Sequence, residues 1–165
     1  NIIGMNAQLW GEVIRSFSQV EWQIYPKIYG LAERAWNNRS HLTLSEYNHL
    51  AYEEFLPRLA ANGHNFHIQQ PGIKQVATEN EQLQLDKSHV LIEMNKVMDG
   101  GELLYCLDDG EWKIYTNTIA IPATTKIVKA KVHYLGKESN TTWLWVNDKH
   151  DVKGQTVEKN TGATF

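Results

Sequence analysis

Apolar and polar positions alternate with two different periods along this 165-residue chain. From residue 18 to 62 the period is helical. Val20, Ile24, Ile28, Leu31 and Ala35 recur at helical intervals, which predicts an amphipathic helix with one buried stripe running to Trp36. Trp22, Tyr25 and Tyr29 widen the apolar surface beyond that stripe, so partners are expected on two sides. Ser18 and Glu21 have the spacing of a capping box at its start, and Pro26, which lacks an N–H, predicts a bend about one turn further on. A second box, Thr43 with Glu46, opens a helix carrying Tyr47, Leu50, Ala51 and Leu59, with Asn62-Gly63 as its stop signal.

After Pro71-Gly72 the period shortens to two. Runs at Val90–Met94, Leu103–Leu107, Thr118–Ile121, Ile127–Tyr134 and Thr141–Val146 are β-branched or aromatic and are separated by turn residues. Asp99-Gly100-Gly101 and Asp109-Gly110 offer positions able to take positive φ. In the longest run Ile127, Lys129, Lys131 and His133 share one face, and Val128, Ala130, Val132 and Tyr134 share the other, the mark of a half-buried strand. Strands at this spacing through residues 72–147 predict a small immunoglobulin-like β-sandwich, followed by a polar tail over residues 148–165.

The first residues alternate as well. Along Gly4–Glu12 the side chains of Asn6, Gln8, Trp10 and Glu12 fall on one face and Met5, Ala7 and Leu9 on the other, which reads as a strand. A polar row ending in Trp and Glu suits a pocket for a hexose. An indole covers the apolar C–H face of the ring and a carboxylate accepts hydrogen bonds from its hydroxyls. A packed edge Trp beside a solvated Glu is the plainer reading of the same pair.

Composition narrows the classes. The net charge is −3 and the sixteen basic residues are scattered, so the chain has no electrostatic footprint for nucleic acid or an anionic membrane. Its apolar runs are too short to span a membrane. Cys106, the lone cysteine, sits in an apolar strand pattern and reads as a packed thiol. His64 and His67 lack the further ligands that a zinc site needs, so no metal and no cofactor is expected. Glu53-Glu54 and Asp108-Asp109 read as solvated charge. Trp112, Trp143 and Trp145 are candidates for a sugar platform on the sandwich, with core or domain-contact roles as the alternative. Asn38-Arg39-Ser40 and Asn140-Thr141-Thr142 match the glycosylation pattern, which matters only in a eukaryotic secretory context.

Three ordered motifs carry a resemblance: Gly4–Glu12, then Glu21 with Tyr25-Pro26-Lys27, then Leu31-Ala32-Glu33-Arg34-Ala35-Trp36. Together they resemble the end of the catalytic domain of family 20 glycoside hydrolases, best the β-N-acetylhexosaminidases called chitobiases. Phe55–Leu59 and Gly63–Phe66 fit the family's closing segment, although His67 stands where the family has a basic residue. Tyr105 to Gly110 and Ile119 to Lys131 are similar to the family's C-terminal module. The resemblance implies an α+β fragment. Residues 1–71 would be the last strand and helices of a (β/α)8 barrel, and residues 72–147 an immunoglobulin-like sandwich.

It also implies an exo-acting enzyme that removes terminal GlcNAc or GalNAc from chitobiose or glycans. In that family the substrate's acetamido oxygen attacks its own anomeric carbon with retention, an exception to two-carboxylate schemes. The Asp-Glu pair that assists it lies upstream in the family, and this chain contains no Asp-Glu dipeptide. The chain is therefore expected to be inactive alone, with Trp10 and Glu12 as substrate-binding residues and no catalytic residue of its own. Expected partners are an N-acetylhexosamine oligosaccharide and the upstream barrel of the same protein, or a second copy docking on the uncovered barrel segment. A periplasmic or secreted bacterial protein fits the family. A non-catalytic carbohydrate-binding or interaction module is the alternative.

Overall fold

The structure, a computed structural model, describes residues 4–37, 42–76 and 89–146. They fall into two compact units, one made of residues up to His67 with Met98–Gly100, the other of Ile68–Val97 and the residues from Gly101 onward. The first holds the helices and the second the strands, so the chain is mixed helix and sheet. The tail over residues 148–165 and the sequon at Asn38 lie outside the described residues.

In the first unit, residues 4–16 form no strand, contrary to the alternating pattern. Alternation describes which side chains share a face. A strand also needs a neighbour for its N–H and C=O groups, and no described segment pairs with this one. Helix α1 spans Phe17–Ile24. Its cap is Ser16, whose hydroxyl accepts from the Gln19 N–H, while the Gln19 side chain accepts from the Arg15 N–H. The expected Ser18–Glu21 box does not form, because both residues face a distant part of the chain, as described below. Pro26 breaks the helix where a bend was expected. Tyr25 takes an extended conformation (φ −91°, ψ 135°), as residues before proline do, the Tyr25–Pro26 peptide is cis, and α2 begins again at Lys27 and runs to Trp36.

The stripe along these two helices is only partly covered. Val20, Ile24 and Leu31 are half-buried, whereas Ile28 is exposed and Trp36 is 89% exposed. The second capping box forms as read: Glu46 N–H donates to Thr43 Oγ1 at 3.2 Å, and Thr43 N–H to the Glu46 carboxylate at 2.7 Å. The Thr43 N–H and the Thr43 hydroxyl, which donates to the same carboxylate at 2.8 Å, hold the Glu46 carboxyl below its usual range. The helix that follows is not uniform. After α3 (Leu44–His49) the register loosens to a π-helical stretch, Leu50–Phe55, in which the Leu56 N–H reaches Ala51 O, and α4 (Leu56–Ala61) completes it. Pro57, one residue into α4, removes an i→i−4 bond at that junction. The end is a Schellman motif. Gly63, at φ +76°, donates to Ala60 O and His64 N–H donates to Leu59 O, both at 3.0 Å.

The described residues of the second unit form eight strands: β1 Gly72–Gln75, β2 His89–Asn95, β3 Glu102–Leu107, β4 Lys113–Ile114, β5 Ile119–Pro122, β6 Ile127–Tyr134, β7 Lys137–Glu138 and β8 Thr142–Trp145. They pair antiparallel in two sheets, β1-β2-β5 and β4-β3-β6-β7, with β8 also beside β6. The five expected runs are strands β2, β3, β5, β6 and β8. The additional β1, β4 and β7 are two to four residues long, too short for alternation to announce them.

Along β6 every second residue is buried, and Val128, Ala130 and Val132 are fully so. Ile73, Ile92 and Ile121 supply the buried side chains of the other sheet. Met94 N–H donates to Tyr115 Oη at 3.0 Å, and Thr142 Oγ1 donates to Pro71 O at 2.8 Å. Gly100 and Gly101 take positive φ as expected. At Gly101 a Cβ would sit 2.9 Å from His133 O, so that position has no room for a side chain. At the next turn the positive φ falls on Asp108 (+50°) and not on Gly110, since Asp108 Oδ1 accepts from the N–H groups of Lys126 (2.9 Å) and Ile127 (3.0 Å). Cys106 is buried, its thiol facing the carbonyls of Asp108 and Gly110.

The two faces of β6 should respond differently to truncation. Val128→Ala is expected to cost about 2 kcal/mol and Lys129→Ala about 0.5 kcal/mol or less, measured by urea denaturation.

Candidate functional site

Trp10 and Glu12 lie on the exposed segment ahead of α1. Trp10 is 75% exposed, and Asn6, Gln8 and Glu12 are exposed beside it. A single turn, Ile14 N–H to Gly11 O at 3.1 Å, follows the pair. Among the described residues Glu12 makes no hydrogen bond or ion pair. A concavity in this unit is bordered by Leu42, Ser45, Glu46, His49, Leu50 and Asp99 and includes neither residue. Trp10 and Glu12 are thus adjacent and accessible, but no described wall faces them.

What is well built is the scaffold immediately after them. Glu21 is a carboxylate inside the unit, 7% exposed. Burying it is tolerable because both oxygens are engaged: Oε1 lies 2.6 Å from His64 Nδ1, and Oε2 accepts from the Asn65 N–H at 3.0 Å. The Asn65 amide then donates to the backbone oxygen (3.1 Å) and hydroxyl (3.0 Å) of Ser18. Two residues on, His67 N–H donates to Tyr25 O at 3.1 Å, and the His67 ring stands edge-on to Trp22 with centroids 4.7 Å apart. The end of α4 is in this way fastened to α1 across more than forty residues. Burial, with Lys27 nearby, lowers the His67 pKa to about 4.

Tyr47 adds a second tie, donating its hydroxyl to Pro26 O at 3.0 Å. Gly30 faces that ring, and a Cβ there would come within 3.3 Å of the Tyr47 oxygen. Tyr29 packs between Tyr25 and Phe55, with centroids 5.7 and 4.5 Å away. Sequence reasoning had no local signal for the Glu21 clamp. Its partners are separated by 43 and 44 residues, and a Glu three after a Ser looks like a cap.

The other candidates also have definite places. His64 serves Glu21, and no group of three or more His, Cys, Asp or Glu able to hold a metal ion occurs among the described residues. Glu54 pairs with Arg58 one turn on, at 2.9 Å. Asp109 pairs with Lys129 at 2.8 Å, which holds its carboxyl below the usual range, while Asp108 is a backbone acceptor and not a solvated charge. Trp143 and Trp145 share the outer face of β8, and the Lys131 ammonium lies 4.3 Å from the centre of the Trp112 ring. No described helix is long and apolar enough to cross a membrane.

Comparison with known proteins shows a likeness between the first part of this chain and a glycoside hydrolase family. Residues 1–39 match glycosyl hydrolase family 20, catalytic domain. Trp10, Glu12, Glu21 and Trp36 all lie within the matched stretch. Among its relatives is the N,N'-diacetylchitobiase of Vibrio harveyi, 25% identical over 158 residues, an alignment covering 82% of this chain and 16% of the relative. Beta-hexosaminidase B of Pseudoalteromonas piscicida is 46% identical over 35 residues, 21% of this chain and 4% of that protein. The chain therefore matches only a small part of either relative's length.

Two measurements test the scaffold. Glu21→Ala should destabilise the helical unit by roughly 2–3 kcal/mol, the range for losing hydrogen bonds to a charged group, whereas His64→Ala should cost less because that ring is 45% exposed. Chemical denaturation of both variants checks the order. His67 supplies a pH dependence: with its folded pKa lowered to about 4, the unfolded chain binds the extra proton first. Its contribution is complete above the unfolded value of about 6.5 and is lost as pH falls toward 4. The melting temperature should fall over that window, and less steeply in His67→Gln.

Proposed function

We propose that this chain is the C-terminal part of an exo-β-N-acetylhexosaminidase that releases terminal N-acetylhexosamine from chitobiose or glycans. The observation that carries this reading is the family match over residues 1–39, which includes both Trp10 and Glu12. In this reading residues 1–71 contribute the last strand and helices of a (β/α)8 barrel, residues 72–147 an immunoglobulin-like sandwich and residues 148–165 a tail. The alignment with the chitobiase over 82% of the chain, and the pairing of eight antiparallel strands into two sheets, support the second element.

Trp10 and Glu12 would stand at the C-terminal end of the barrel's final strand, where barrel enzymes carry their sites. Trp10 would lie against the sugar's apolar face, and Glu12 would accept hydrogen bonds from its outer hydroxyls. The exposure of both side chains, of Val13 and Phe17 just after them and of Trp36 at the end of α2, fits a surface made to be covered by the remainder of the barrel. The Asp that steadies the oxazolinium and the Glu that protonates the leaving oxygen would come from that remainder, since this chain has no Asp-Glu dipeptide. The chain would then be inactive by itself. A periplasmic or secreted location goes with this reading, and both named relatives are bacterial glycosidases.

Hydrolysis of a chromogenic N-acetylglucosaminide tests it. The chain alone should release no chromophore, and the chain mixed with an upstream family 20 barrel fragment should. In the mixture Glu12→Gln should lower kcat/KM by about 10- to 100-fold, the equivalent of one charge-assisted hydrogen bond. Activity from the chain alone would overturn the assignment of the catalytic pair to the missing part.

A further inference from the structure

The outer face of the four-residue strand β8 is the most unusual surface of the second unit. Thr142 and Leu144 point inward and are buried, while Trp143 and Trp145 point outward at 60% and 50% exposure. Alternate residues of a strand lie about 7 Å apart on one face, so the two indoles stand side by side. Across the ladder Trp143 is opposite Lys129 and Trp145 is opposite Ile127. The basic residues of this face are already neutralised. Lys129 pairs with Asp109 at 2.8 Å, and Lys131 pairs with Glu138 at 2.7 Å while also lying over the Trp112 ring.

We propose that Trp143 and Trp145 form a binding platform for a neutral oligosaccharide, separate from the Trp10–Glu12 site. Three features select this occupant. Bare indoles match the C–H faces of pyranose rings, which need no enclosing pocket. Charge complementarity disfavours an anionic ligand, because Lys129 and Lys131, the lysines on this face of β6, each have a carboxylate partner. The same carboxylates keep acceptor capacity for hydroxyl groups, since Asp109 is 97% and Glu138 51% exposed despite their ion pairs. A protein partner fits less well: the centre of a protein–protein interface is depleted of charge, and here the Lys129–Asp109 pair sits at the cross-strand neighbour of Trp143. Trp112 is not part of the platform, because Lys131 covers one of its faces.

The inference does not rest on the proposed hydrolase function, and its test keeps the two apart. The whole chain is titrated with chitohexaose and with cellohexaose by calorimetry, alongside Trp143→Ala, Trp145→Ala, Trp112→Ala and Trp10→Ala. Binding of at least one probe is expected. Trp143→Ala and Trp145→Ala should each weaken it about tenfold or more, the usual cost of removing one aromatic anchor, and Trp112→Ala should leave it unchanged. Melting temperatures and sedimentation of each variant check folding and association, and Trp143→Phe should retain part of the affinity. No binding of either probe, binding that survives both β8 variants, or binding lost in Trp10→Ala would overturn the platform. Self-association abolished by the β8 variants without sugar binding would overturn it too and make this face a contact between copies.

Discussion

The carboxylate of Glu21 organises the helical unit. Among the described buried residues there it is the single charged side chain, and it is kept because His64 and the Asn65 backbone satisfy its oxygens. Around that anchor the Asn65 amide reaches Ser18, His67 reaches Tyr25 and its ring meets Trp22, so the residues after α4 are drawn onto α1. Since α1 follows Trp10 and Glu12 after a few residues, this clamp is also what fixes the near end of the candidate site. The excursion between the two ends, α2 through α4, is held by the Tyr47 bond to Pro26, the packing of Tyr29 on Phe55 and the buried side chains of Ala51, Tyr52 and Leu56.

The β unit depends on a different kind of order. Burial on alternate positions of β6 leaves register as the variable to be fixed, because a slip of one residue would turn Val128, Ala130 and Val132 outward. Gly101 and Asp108 limit that slip at two turns. Gly101 does so by a close approach that admits no Cβ, and Asp108 by accepting the first two N–H groups at the start of β6. The same alternation that hides Leu144 exposes Trp143 and Trp145, so the core and the outer platform are two consequences of one pattern.

Legibility followed the distance over which each feature is encoded. The face assignment of β6, the Thr43–Glu46 box, the stop at Asn62-Gly63 and the packed thiol of Cys106 are local and were readable. The Ser18–Glu21 box failed because a local motif met a stronger long-range use of the same carboxylate. Pro26 was read as a bend and is a break, since Tyr25 before it leaves the helical region altogether. The π-helical stretch at Leu50–Phe55 has no periodic signature, and β4 and β7 are too short to have one. Of the candidate site, the sequence pattern proposes Trp10 and Glu12 and the structure leaves both exposed, so their pairing with a sugar stays a proposal and any enclosure is not legible in these residues.

That difference between identity and enclosure explains the behaviour of residues 4–16. Their alternation is a record of two surroundings, one polar and one apolar, to which a strand with neighbours would present its faces. Without a ladder the backbone polar groups turn to water, and the side-chain pattern alone does not hold an extended segment in a sheet. The helices downstream show the same imprint. Ile28 and Trp36 stay exposed on α2 although their spacing is that of a buried stripe, whereas Glu21, whose partners lie inside the chain, is sequestered. Residues with partners within the described chain are thus in their final setting. Among the described residues the row Asn6, Gln8, Trp10 and Glu12 stays exposed, and the proposed sugar-binding role of Trp10 and Glu12 is the reading that would give this row a partner.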